Sequence, residues 1–225
     1  MTQTQINPTD TELLATATQL SDAFSDRAVE FDQARRLSQD ASDAMAQAGF
    51  YRLFVPEHLG GLEASPVISA KIFERLAQGN AACGWVAFIA ATSGSTLGSI
   101  PQDTARTIFS HPNTMVAGVF APSGKATVKA GEVTVEGRWQ WGSGTQNADW
   151  ILGGCLVDVG ADKPSQHMIL MPAEQVEFLD TWHVSGLQGT GSTDYEVKNL
   201  TLPDSHIVGY DGNRPPRSSL YQFPQ

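Results

Sequence analysis

The spacing of apolar residues changes once along this chain, and that change constrains the fold more than any other feature. Before residue 112 apolar side chains recur every three or four positions, as on one face of a helix. After residue 112 they alternate with polar side chains, as in β-strands. We predict a segregated α+β chain, with an N-terminal helical bundle over residues 1–112 and an antiparallel β-barrel or β-sandwich domain over residues 113–211.

Helix start and stop signals divide the first half. Thr9 and Glu12 have the spacing of a capping box ahead of the first helix, and a second helix ends at Gly49. Ser65-Pro66 can cap and begin a third helix. Residues 81–97 are apolar nearly all round, which is typical of the central helix of a bundle. A last short helix is predicted for residues 101–109.

The second half is predicted to contain seven or so short strands without intervening helices. A hairpin turn is expected at Gly131, between two alternating runs. The predicted strands cover residues 115–121, 126–130, 133–135, 138–141, 150–157, 167–171, 174–179 and 195–202. Residues 212–225 are rich in proline, arginine and serine, and they have the composition of a linker.

Charge and composition exclude several functions. Fourteen basic residues against 24 acidic ones give a net charge of −10, which disfavours binding to nucleic acid or to an anionic membrane surface. Two cysteines make no disulfide framework, and the five histidines lack metal-ligand spacing, so no metal site is predicted. The N-terminus does not have the pattern of a secretory signal, and the longest apolar run, residues 81–91, is short for a bilayer. We expect a soluble, cytoplasmic protein.

Common cofactor and nucleophile motifs do not match. Gly124-Lys125 is not followed by the hydroxyl residue of a phosphate loop, and the turn after Gly142 lacks the spacing of a nucleophile elbow. What stands out is a cluster of Trp139, Trp141 and Trp150 around the small polar residues 142–145. Such a cluster suits an aromatic heterocycle with polar edges, such as a flavin, and it equally suits the ordinary core of a β domain.

Four segments, in this order, are similar to the acyl-CoA dehydrogenase superfamily. They are GFYRLFVPEHLGG at 49–61, VFAPSG at 119–124, GRWQWGSG at 137–144 and GLQGTGSTD at 186–194, the last followed by a strand that ends at Pro203. The similarity extends over almost the whole chain. It implies the same fold of helices followed by a β domain, and a flavin cofactor, FAD or FMN.

Departures from the dehydrogenase pattern favour one branch of that superfamily. Phe120-Ala121-Pro122 stands where dehydrogenases have Thr-Glu-Pro, and Trp139 stands where they often have lysine. These features, with Trp85 and Trp182, resemble the hydroxylase (monooxygenase) branch, which receives reduced flavin from a partner reductase to activate oxygen. The resemblance therefore implies a flavin-dependent monooxygenase acting on a small molecule. The alternatives are a true acyl-CoA dehydrogenase, an inactive fragment and a ligand-binding β module.

The resemblance also implies site residues. Trp141 would pack against the flavin ring, and Ser143 would offer a hydroxyl or an amide to its polar edge. The expected cofactor contacts are Phe120, Ala121, Ser123, Trp141, Ser143, Gly189, Gly191 and Ser192. Trp85 and Ser93, both in the central helix, are expected in the substrate pocket. Each of these residues also has an ordinary structural explanation, in the core or in a turn.

Members of the superfamily continue into a third, helical domain that supplies the catalytic base and most of a tetramer interface. Residues 212–225 would link to that domain, which this sequence does not include. No catalytic residue is therefore assigned. We expect a homotetramer only when the third domain is present, and little activity from residues 1–225 alone.

Overall fold

The computed structural model describes residues 8–161, 163–210 and 220, so the predicted linker lies outside the described residues except for Leu220. The first half of the described chain is helical. Its α-helices are α1 (Asp10–Ser25), α2 (Ala28–Ala34), α3 (Gln39–Gln47), α4 (Pro66–Gly79), α5 (Ala81–Ser95) and α6 (Gln102–Ile108).

The predicted helix caps are present. The Thr9 hydroxyl accepts a hydrogen bond from the amide of Glu12 at 3.3 Å, and the Glu12 carboxylate accepts one from the amide of Thr9 at 2.7 Å. The Ser65 hydroxyl caps α4, and Gly49 has a positive φ of 79° after α3. Helix α2 was not predicted, because it has seven residues, no side-chain cap and a single buried residue, Phe31.

Helix α5 is the centre of the helical core. It is apolar nearly all round, as predicted, but its buried residues occupy one side of the helix, and Trp85 and Phe88 on the other side are exposed. By length and composition alone, the helical stretch Ala81–Ser99 could cross a membrane, and 56% of it is buried inside the fold. The helical stretch extends beyond the apolar run 81–91 to Ser99.

The strands of the second half are β1 (Val116–Lys129), β2 (Glu132–Gly142), β3 (Trp150–Asp158), β4 (Ser165–Pro172), β5 (Glu177–Leu179) and β6 (Thr193–Pro203). The predicted hairpin joins β1 to β2 through Ala130 and Gly131, whose φ values of 56° and 83° are those of a type I′ turn. Predicted strands that were separate in sequence merge into β1 and β2.

The described strands form one open sheet in the order β4-β3-β1-β2-β6-β5. Every pair is antiparallel except β1 with β3. The prediction of a helical half followed by a mostly antiparallel β half is confirmed, and the sheet formed by the described strands is not closed into a barrel. The alternation of apolar residues reports which face of a strand is buried, but it carries no information on whether the outer strands meet.

The two halves share their core. Met115 and Ala117 of the first strand region pack with the helical core, while Leu152 and Leu170 pack with Val55 and its apolar neighbours from the helical half. The predicted boundary at residue 112 lies between the end of α6 and the start of β1. Because apolar clusters extend across it, that boundary does not separate two independent cores.

Arg52 also joins distant segments. Its buried guanidinium donates hydrogen bonds to the carbonyls of Leu59, Gly60, Phe109 and His111. Burial lowers the pKa of Arg52, because the charged form is desolvated. The guanidinium therefore ties the segment after α3 to the chain that enters β1.

Candidate functional site

An open cavity of about 350 Å³ lies where α5, the end of β2 and the loop before β6 meet. Its volume is at the lower end of the range for small-molecule sites. Three indoles, one aliphatic side chain and three hydroxyl side chains line it, and none of these groups is ionisable. The lining residues are Trp85, Trp141, Ser143, Trp182, Leu187, Thr190 and Ser192.

Trp141 is held in an unusual backbone conformation. Its φ is 63°, a left-handed value that bulky residues rarely adopt, and 70% of the residue is exposed. The pairing of β2 with β6 shifts between Trp139 and Gly142, so β2 carries an extra residue at this point. Strained residues of this kind cluster at functional sites, and here the strain presents an indole to the cavity.

Trp139 has a different environment, although it is only two residues away. It is fully buried, its ring stacks on Tyr195 at a centroid distance of 5.2 Å, and its Nε1 donates to the carbonyl of Gly154 at 2.8 Å. In a regular strand, residues two apart point to the same face. The bulge breaks that rule and leaves one tryptophan in the core and the other at the cavity.

The polar wall of the cavity is a continuous chain of hydrogen bonds. Trp85 Nε1 donates to Ser143 Oγ at 2.9 Å, and Ser143 Oγ lies 2.7 Å from Ser192 Oγ. Ser192 Oγ lies 2.6 Å from Thr190 Oγ1, and Thr190 Oγ1 donates to the carbonyl of Leu187 at 2.9 Å. The predicted residues Trp85, Ser143 and Ser192 are thus brought together with Trp141.

An ion pair anchors the loop that carries Trp182. Arg35, at the end of α2, lies 2.6 Å from a carboxylate oxygen of Asp180 and donates to the carbonyl of Trp182 at 3.1 Å. The hydrogen bond from Arg35 holds the pKa of Asp180 below its usual value. Trp182 Nε1 donates to the carbonyl of Gln188 at 3.0 Å, which folds the loop onto itself.

Gly189 and Gly191 are explained by packing in this loop. A Cβ at Gly189 would lie 3.0 Å from the Cβ of Phe31 and 3.1 Å from that of Ala82. Gly191 has a φ of 57° and lies against Arg36. Both glycines let the loop approach the helices closely, and neither lines the cavity. A contact between them and a cofactor stays a prediction.

The structure does not bring the predicted segment 119–124 to the cavity. Phe120, Ala121 and Ser123 are exposed residues within β1, at an irregularity in its pairing between Val119 and Gly124. Ser123 lines a separate cleft on the sheet. The pairing of β1 with β3 passes from Val119 opposite Gly153 to Gly124 opposite Cys155, so residues 120–123 bulge out of that ladder. A contact between these residues and a cofactor stays a prediction.

Ser93 also lies away from the cavity. It is fully buried on α5, and its hydroxyl has no hydrogen-bond partner among the described residues. The cavity instead uses Trp182, Leu187 and Thr190, which the sequence analysis did not place there. A tryptophan in a glycine-rich segment between strands was the available signal for Trp182.

The described part of the chain contains no cluster of three or more histidine, cysteine, aspartate or glutamate side chains that could hold a metal ion. Cys83 and Cys155 are buried free thiols, and burial raises the pKa of each to about 12.

Comparisons with known proteins agree with this fold. The family model for "Acyl-CoA dehydrogenase, N-terminal domain" matches residues 7–101. Indole-3-acetate monooxygenase from Pseudomonas putida is 34% identical over 208 residues, which are 91% of this chain and 53% of that protein. The oxygenase subunit HsaA of a flavin-dependent monooxygenase from Rhodococcus jostii is 31% identical, over 82% of this chain and 49% of that protein.

A solved structure is similar over the same region. The HsaA monooxygenase from M. tuberculosis superimposes with a TM-score of 0.83 and 29% identity, covering 89% of this chain and 56% of that one. The chain belongs to the acyl-CoA dehydrogenase superfamily. Within that superfamily, the relatives named here are flavin-dependent or indole-acetate monooxygenases, and the chain spans about half the length of the curated relatives it matches.

Proposed function

We propose that this chain forms the flavin-binding wall of the oxygenase component of a flavin-dependent monooxygenase. The component would receive reduced flavin from a partner reductase and act on an aromatic small molecule. One observation carries the proposal, namely the strained, exposed indole of Trp141 at a cavity with two further indoles. The names of the relatives support a monooxygenase over a dehydrogenase.

The residues of the cavity fit a flavin. The isoalloxazine ring has flat apolar faces and an edge of nitrogen and oxygen atoms that forms hydrogen bonds. Trp141, Trp85 and Trp182 offer flat apolar surfaces, and Ser143 offers a polar atom between them. When bound, reduced flavin supplies the electrons for the activation of oxygen.

The side chains of the cavity would contribute by position and by exclusion of water. Trp141 would cover one face of the ring, and its backbone strain is consistent with a position set for a ligand. Trp85 packs beside Phe88 at a centroid distance of 5.4 Å, and the two exposed rings offer an aromatic surface for a substrate. Because no lining side chain is ionisable, we assign no proton donor or acceptor in this cavity.

The proposal can be tested by flavin binding. Oxidised FMN and FAD, and the same flavins reduced under anaerobic conditions, are titrated against the purified chain while tryptophan fluorescence is recorded. We expect saturable quenching by at least one flavin, and weaker binding by Trp141→Ala. Trp150→Ala is the matched control, because Trp150 lies outside the cavity.

Two results would overturn the proposal. The first is the absence of saturable quenching by every flavin in both oxidation states. The second is anaerobic reduction of the bound oxidised flavin by an acyl-CoA thioester, because that reaction defines a dehydrogenase and needs no reductase.

A further inference from the structure

Without a ligand, the groups at the two ends of the hydrogen-bond chain in the cavity set the direction of its hydroxyl protons. At one end, the indole N–H of Trp85 can only donate, so Ser143 Oγ accepts. At the other end, the carbonyl of Leu187 can only accept, so Thr190 donates its single hydroxyl proton there. Ser192 must then donate to Thr190, and Ser143 must donate to Ser192.

In this arrangement Ser143 has no proton left for a ligand. Its hydroxyl proton is committed to Ser192, and its amide donates to the carbonyl of Trp141 at 2.9 Å. A hydroxyl oxygen has two acceptor sites, and only one is used by Trp85. Ser143 therefore presents a hydrogen-bond acceptor to the cavity.

The chain can also run in the opposite direction. Ser143 would then donate to a ligand, Ser192 to Ser143, and Thr190 to Ser192. The only bond lost is the one from the Thr190 hydroxyl to the carbonyl of Leu187. That carbonyl keeps the hydrogen bond from the amide of Thr190, at 3.0 Å, so reversal leaves it with a partner.

We infer that Thr190 and Ser192 are positioning residues that set whether Ser143 accepts or donates, and that their resting direction favours reduced flavin. The inference rests on the proposed function. Reduced isoalloxazine carries an N–H on its central ring where the oxidised ring carries an unprotonated nitrogen. An accepting Ser143 suits the reduced form directly, and the oxidised form requires reversal of the chain.

Thr190→Val tests whether the flavin preference changes in the direction that the inference requires. Valine has nearly the shape of threonine but can neither donate nor accept. Ser192 then has no acceptor at position 190, so it donates to Ser143 and leaves the Ser143 proton for the cavity. We expect the preference for reduced over oxidised flavin to fall three- to tenfold, the size of one neutral hydrogen bond. A tenfold change lowers the two-electron midpoint potential of the bound flavin by about 30 mV.

Two variants control for structural damage. Thr190→Ser keeps the hydroxyl and should restore the wild-type preference. Thr145→Val makes the same substitution at a buried threonine whose hydroxyl donates to the carbonyl of Gly142 at 2.7 Å, outside the chain. This variant should leave the preference unchanged. The dissociation constants of both oxidation states are measured by anaerobic fluorescence titration.

A second readout needs no flavin. The Trp85 indole N–H is followed by ¹H–¹⁵N spectroscopy of the ¹⁵N-tryptophan-labelled chain, with Trp85→Phe for assignment. Thr190→Val should shift this resonance through Ser143, and Thr145→Val should not.

The possible outcomes separate the two proposals. If wild-type chain binds no flavin, the proposed function is rejected. If it binds flavin but Thr190→Val keeps the wild-type preference, or if Thr145→Val lowers the preference equally, the positioning role of Thr190 and Ser192 is rejected while the proposed function stands. If the Trp85 indole resonance does not shift in Thr190→Val, the proposed influence of Thr190 on Ser143 is likewise rejected.

Discussion

The left-handed backbone at Trp141 predicts an inverted order of stability for two substitutions. Trp141→Gly and Trp141→Ala both remove the indole, so the difference between them isolates the backbone. In an ordinary strand, glycine is less stable than alanine because the unfolded chain gains freedom. At a φ of 63°, alanine keeps the steric strain that glycine relieves.

The size of the difference follows from these two opposing contributions. A left-handed conformation costs a residue with a Cβ about 1–2 kcal/mol. The greater freedom of glycine in the unfolded chain costs about 0.5–1 kcal/mol. Trp141→Gly should therefore have a free energy of unfolding about 0.5–1 kcal/mol higher than that of Trp141→Ala.

The assay is urea denaturation of both variants, followed by circular dichroism. Gln140→Gly and Gln140→Ala form the control pair, because Gln140 is the neighbour of Trp141 in the same strand irregularity and does not have a positive φ. There alanine should be the more stable residue by about 0.5–1 kcal/mol. If Trp141→Ala is as stable as Trp141→Gly, the backbone at this position is not left-handed and the account of the bulge is refuted.

Three further predictions concern the surroundings of the site. Trp141→Ala should weaken flavin binding by about 1–3 kcal/mol, as in the loss of a stacked aromatic ring, whereas Trp150→Ala should leave the dissociation constant unchanged; equal losses in the fluorescence titration would contradict this. Asp180 has a lowered pKa, so its contribution to loop anchoring is present above its unfolded-state pKa of about 3.9 and is lost as pH falls through the lowered folded-state value. Asp180→Asn should abolish this acid transition in tryptophan fluorescence, and a transition that persists would assign it to another group. Arg52→Met should lower the free energy of unfolding by about 2–4 kcal/mol, because buried carbonyls lose their donor; denaturation within about 0.5 kcal/mol of wild type would contradict that role.

Structural features that depend on a few neighbouring residues, such as helix caps and tight turns, were predicted from the sequence. The capping box of Thr9 and Glu12, the serine-proline start of α4 and the hairpin at Gly131 each depend on backbone groups within four positions. Such signals act before any tertiary contact forms, because the partners are neighbours in the chain. The order of a helical half followed by a β half was determined in the same way, by a local change in apolar spacing.

The open sheet and the separation of the two tryptophans were decided by tertiary structure. The pattern Trp139-Gln140-Trp141 predicts that both indoles share a face. Pairing with β6 inserts a bulge there, which buries Trp139 and exposes Trp141. Whether an extra residue is accommodated depends on the partner strand, and the alternation within β2 alone does not contain that information.

The direction of the hydrogen-bond chain in the cavity could not be predicted from the sequence. Trp85 and Ser143 are 58 residues apart, and Ser143 and Ser192 are 49 apart. Their residue types identify possible donors and acceptors, and the resemblance to a family placed Ser143 and Ser192 at the cofactor and Trp85 in the substrate pocket. Only the folded arrangement supplies the Trp85 indole at one end and the Leu187 carbonyl at the other, and these end groups set the direction of the hydroxyl protons when no ligand is bound.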